Sequence, residues 1–96
     1  MAVFRISKRA AADLTVIYAE GITRFGALQA SEYRERLEGT FATLTTSPRI
    51  GREYVGTPEP VRVHFHQSHV ITYKVVDTDI IIVRVLPARA DWREHL

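Results

Sequence analysis

Three imidazoles crowd the stretch VHFHQSH: His64, His66 and His69. Residues two apart on an extended chain share a face, so His64 and His66 point the same way. His69 returns near them across a turn, and three imidazoles are enough ligands for zinc. The chain has no cysteine, and no acid is placed with the three. A polar outer face of a strand is the simpler reading, so no metal and no cofactor are expected. Ser68-His69 with Asp77 or Asp79 has the residue types of a hydrolytic triad. No nucleophile elbow or glycine-rich oxyanion segment accompanies them, which leaves turn chemistry. Gly51 and Gly56 are isolated and start no phosphate loop.

Arg62 and Arg84 each interrupt an apolar strand pattern. A guanidinium on a sheet face can bind phosphate through its planar fork, and RNA cleavage needs such cations against developing charge. No base comes with them, and arginines in apolar settings usually pair with acids. The last stretch, IIIVRVLPARADWREHL, holds apolar residues up to Leu86, then Pro87, then arginines, acids and Trp92. The expectation is that the fold stops near Leu86 and that the remainder serves a separate purpose.

Ninety-six residues with 46% hydrophobic and 25% charged side chains are ordinary values for one globular domain. The formal net charge of +2 is too small to argue for direct nucleic-acid binding. MAVFRISKRA carries no long apolar run, so neither a signal peptide nor a membrane anchor is expected.

The elements that must position these residues follow from periodicity. Val3 to Ile6 reads as a strand and Ser7 as a helix N-cap. Ala11, Leu14, Ile17, Tyr18, Ile22 and Phe25 form one helical stripe, and Gly26 ends that helix. Ala30, Tyr33, Leu37, Phe41 and Leu44 stripe a second helix from Ala27 to Thr46. Gly39 within it suggests close packing, and Ser47-Pro48 stops it. The pair makes an antiparallel hairpin. Val61, Val63 and Phe65 alternate with Arg62, His64 and His66, as in a strand. His69 to Val76 and Ile80 to Leu86 are further strands, the last apolar on both faces and therefore central. Arg52 to Val55 adds a short edge strand. The expected fold is α+β: an N-terminal strand, an antiparallel two-helix hairpin, then a three- to four-stranded antiparallel curved sheet. A short C-terminal tail or helix completes it, with an open face or groove opposite the helices.

The chain resembles the ParE toxins of the RelE/ParE toxin–antitoxin superfamily. The stretches that carry the resemblance are SKRAAADLTVIY, FGALQASEYRERL, SPRIGREYVG, VRVHFHQSHVITYKV and IIIVRVLPARADWREHL, in that order along the whole chain. The resemblance implies a single RelE/ParE-like domain over residues 1–96. It also implies a cytoplasmic, non-enzymatic toxin that inhibits DNA gyrase by protein contact. A ParD-like antitoxin would neutralise it in a hetero-oligomer. Gyrase-contact candidates are Arg89, Asp91, Trp92, Arg93 and His95; a short terminal helix packing Trp92 and Leu96 on the body is compatible with that role. Antitoxin-contact candidates are Arg5, Lys8, Tyr18, Ile22, Tyr33, Leu37 and Arg62. The related RelE branch cleaves messenger RNA on the ribosome, and Arg62 and Arg84 fall where that branch keeps arginines. Pro87-Ala88 stand where its proton-transfer group follows the last strand, and neither side chain transfers a proton.

Overall fold

The computed structural model describes residues 3–96. The elements are β1 (Phe4–Ile6), α1 (Lys8–Phe25), α2 (Ala27–Thr46), β2 (Arg52–Tyr54), β3 (Val61–His66), β4 (His69–Val76) and β5 (Asp79–Pro87), followed by a 3₁₀ turn at Trp92–His95. They form one sheet in the order β1-β5-β4-β3-β2. β2 to β5 run antiparallel, but β1 pairs with β5 in parallel, Phe4 beside Ile80 and Ile6 beside Ile82. The sheet is thus five-stranded and mixed, because the N-terminal strand joins it rather than standing apart. The hairpin of helices carries the chain from β1 at one edge of the sheet to β2 at the other, and β3 and β4 then lead back to β5 beside β1.

Local chemistry sets the element ends. The Ser7 hydroxyl accepts from Ala10 N–H at 3.0 Å and donates to the Val83 carbonyl at 2.8 Å, so one side chain caps α1 and fastens it to β5. Gly26, at φ +90°, divides the helices, a conformation that L side chains avoid. A Cβ at Gly39 would meet nothing within 4 Å, so close packing does not explain that glycine.

The helices cover only part of the sheet. Ala10, Leu37, Phe41 and Leu44 pack on Ile71, Tyr73, Ile80, Ile82 and Val85. The far half of the α1 stripe overhangs: Ile22 is 40% and Phe25 64% exposed. On the opposite face Val63, Val70 and Leu86 form a second cluster, closed by Trp92 and flanked by Tyr54, Ala88 and Leu96. The face expected to stay open is therefore filled, and the fold does not stop at Leu86. β3 consequently turns its valines outward under Trp92, while Arg62, His64 and His66 share the helix side with Ile71 and Tyr73. They are half-buried there, at the margin of the helical layer.

β5 carries one irregularity. Thr72 pairs with Arg84, but Tyr73 pairs with Ile82, so Val83 is an extra residue. Such a bulge switches the alternation. It lets Ile80, Ile82 and Val85 all face the helices while Arg84 and Leu86 face outward.

Candidate functional site

A groove of about 620 Å³ opens where the helical hairpin overhangs the sheet. Its helical walls include Leu14, Ile17, Tyr18, Phe25 and Tyr33. The β3–β4 turn, Gln67 to His69, and the segment Pro87 to Arg89 close the other side. Gln67 sits at φ +51° in that turn, and the Ala88 N–H donates to the Ser68 carbonyl at 2.8 Å. Turn and tail are thus held as one wall.

The polar groups in this groove are ordered. The Tyr33 hydroxyl and Nδ1 of His69 share a hydrogen bond at 2.6 Å. The Arg36 guanidinium lies 5.7 Å from the Tyr33 ring centroid, and that of Arg34 lies 5.8 Å from the Tyr18 ring centroid, both within cation–π range. Burial pushes the His69 imidazole below its ordinary 6.5, aided by His66 and opposed by Glu20. Burial also raises Tyr33, against the Ser68 hydrogen bond and Arg36. A neutral imidazole beside a protonated phenol fits both directions. His66 is likewise lowered, first by burial and then by His64 and Arg36; its Nδ1 stands 3.1 Å from the Thr40 hydroxyl. The three histidines therefore do not form the polar outer face expected of them. Among the described residues no group of three histidines, cysteines or acids could hold a metal ion.

Arg24, Arg34, Arg36 and Arg89 line the groove against Glu20 and Glu32. Of the residues expected to meet an antitoxin, Tyr18 and Tyr33 line it and Ile22 lies beside it on the exposed end of α1. Leu37 also lines the groove, but at 1% exposed it belongs mainly to the core under the helices. Arg5, Lys8 and Arg62 do not line the groove. Arg5 is exposed on β1, its guanidinium 4.0 Å from Asp79, and Lys8 is exposed at the first turn of α1. Arg24, Arg34 and Arg36 were not legible as groove residues, since only the hairpin geometry brings them to one rim.

Both strand arginines make structural bonds. Arg62 donates from Nη1 to the Gly51 carbonyl at 2.8 Å. Arg84 makes a two-pronged pair with Asp13, Nε to Oδ2 at 2.7 Å and Nη2 to Oδ1 at 2.9 Å. Asp13 raises the Arg84 pKa further, against its partial burial. Register sets the two on opposite faces: Arg62 lies beside Tyr73, Arg84 beside Thr72.

In the tail, Arg89, Asp91, Arg93 and His95 are exposed. Trp92 is 5% exposed and buried beneath Tyr54 and Phe65, both edge-on at 5.9 Å. The Arg93 guanidinium covers its ring at 4.4 Å. Most of the Trp92 surface is spent on the second cluster. Trp92 sets where its four neighbours point.

Residues 4–92 match the family model described as ParE toxin of the type II toxin–antitoxin system, parDE. This chain belongs to the ParE toxin family. The family stretch includes the helical hairpin, all five strands and Trp92. "Toxin ParE1" of Caulobacter vibrioides is 32% identical over 93 residues, spanning 97% of this chain and 96% of that protein. A solved structure titled "Chromosomal ParDE TA system from P. aeruginosa" superposes with a TM-score of 0.76 at 21% identity, over 91% of this chain and 96% of that one; it agrees in fold. The protein is a ParE-type toxin of a type II toxin–antitoxin system.

Proposed function

We propose that this ParE-family toxin inhibits DNA gyrase by protein contact through the exposed side chains of its tail and is neutralised by a ParD-like antitoxin seated in the groove. The observation that carries the reading is the fixed tail. Trp92 anchors it, so Arg89, Asp91, Arg93 and His95 are displayed from a rigid turn. A preordered surface loses less freedom on binding than a loose tail. Arginine is also a residue type that carries interface energy.

The side-chain chemistry favours inhibition without catalysis. The two arginines of the ribonuclease alternative are engaged in structural bonds on opposite faces. Pro87 and Ala88 follow the last strand and offer no proton-transfer group. No cofactor enters the mechanism. The fold has no helix long and apolar enough to cross a membrane among its described residues, and gyrase inhibition would take place in the cytoplasm.

For the antitoxin, the groove supplies an apolar floor with arginines at its rim, and Ile22, Phe25 and Leu28 extend the apolar surface past its end. An amphipathic helix with acidic flanks fits that pattern. The test is a gyrase supercoiling and cleavage assay with purified toxin, with and without the antitoxin encoded beside it. Lost supercoiling or accumulated cleaved DNA, reversed by the antitoxin, supports the reading. Intact gyrase activity in the presence of folded, antitoxin-binding toxin would overturn it.

A further inference from the structure

The Asp13–Arg84 pair does more than neutralise a buried charge. Its side chains are 15% and 11% exposed, and three elements meet on it. Asp13 Oδ2 also accepts from the Val85 backbone N–H at 3.0 Å. That donor lies just past the Val83 bulge, where β1 has ended and the edge of β5 is open. The third Arg84 bond leaves the pair altogether: Nη1 donates to the His95 carbonyl, at the end of the 3₁₀ turn, at 2.9 Å. One guanidinium thus joins α1, the bulge of β5 and the tail. At the start of the turn, Glu94 N–H reaches the Asp91 carbonyl at 3.2 Å and Trp92 N–H the Ala90 carbonyl at 2.8 Å.

We infer that Asp13 and Arg84 are positioning residues that lock the terminal turn, and with it Arg93 and His95, into the orientation that meets the toxin's target. This rests on the reading that the tail contacts gyrase. Trp92 fixes the depth of the turn and Arg84 fixes its far end. With two attachment points, rotation about the Trp92 side chain is blocked. The arginine fork suits this role, because its planar, fixed donors reach a carboxylate on one side and a carbonyl on the other.

The test uses the full chain and Arg84→Lys. Lysine keeps a positive charge opposite Asp13, so no carboxylate is left unpaired, but a single ammonium cannot span both partners. Hydrogen exchange at the Trp92 and Glu94 amides should quicken by about tenfold while β4 and β5 amides stay protected. Antitoxin affinity should stay within about threefold, since the groove is separate from the pair, while gyrase inhibition weakens by about tenfold. Asp13→Asn, which keeps an acceptor for the Val85 N–H, should show the same split more weakly and serves if the lysine variant does not fold. Unchanged tail exchange overturns the inference, as does a uniform loss of fold, antitoxin binding and inhibition together. Arg89→Glu separates it from the reading beneath it. If Arg89→Glu abolishes inhibition while Arg84→Lys inhibits normally, the inference alone fails. If both inhibit normally, the tail reading fails and takes the inference with it.

Discussion

At the scale of single residues, the fold depends on groups whose role no local pattern announces. Tyr73 is fully buried, and its hydroxyl donates to the Pro48 carbonyl at 2.6 Å and accepts from the Gly51 N–H at 2.9 Å. A Cβ on Gly51 would stand 2.7 Å from the Tyr73 ring. Gly51→Ala must therefore displace the ring or break the bond, and should cost about 1–3 kcal/mol in denaturant unfolding, as overpacked sites do. The groove histidines make a pH-dependent prediction. His66 and His69 are both held below their ordinary 6.5 by burial. The folded state therefore binds fewer protons than the unfolded chain below that pH, and stability must fall as pH drops through about 6.5 toward the lowered folded values. His69→Gln, which keeps a polar partner for Tyr33, should flatten the fall in thermal midpoint measured between about pH 7 and pH 5. An equally steep fall in that variant would assign the dependence to other groups.

At the scale of elements, the tail is where local reading and tertiary packing part. Helix limits were legible, because Ser7, Gly26 and Ser47-Pro48 act on their own neighbourhoods. The strands were legible from alternation, but the direction of that alternation was not. In β3 the apolar set turns away from the helices because a second apolar layer waits there, and its lid is Trp92. In β5 the apolar run Ile80 to Val83 has no parity from which the bulge at Val83 could be read. Arg84 and Asp13 lie 71 residues apart, beyond any spacing rule. Trp92→Ala should cost about 3–5 kcal/mol, the usual range for emptying a buried aromatic site. Truncation after Leu86 would strip the cover from Val63, Val70 and Leu86. Chemical denaturation of the truncated chain should accordingly show a markedly lowered midpoint. A full-length midpoint would mean that the second cluster contributes little.

At the scale of the whole molecule, the two-helix hairpin that leads from one edge of the sheet to the other overhangs it at one end, and the groove lies at that overhang. The formal charge of +2 over the chain understates its local character, since four arginines line the groove against two glutamates. Composition could not reveal this, because folding rather than sequence gathers Arg24, Arg34 and Arg36 opposite Arg89. Field lines from such a rim extend beyond contact distance and steer an oppositely charged partner before apolar side chains meet. Salt screens this steering, with a Debye length of about 10 Å at 0.1 M falling to about 3 Å at 1 M. Stopped-flow association with an acidic antitoxin should then slow by about tenfold between low and high salt while dissociation changes little. Arg36→Gln together with Arg89→Gln should remove most of that salt dependence without emptying the apolar floor. If the double variant keeps the full dependence, the steering charges lie elsewhere, with Arg5 and Lys8 at the exposed β1–α1 corner as the next pair to neutralise.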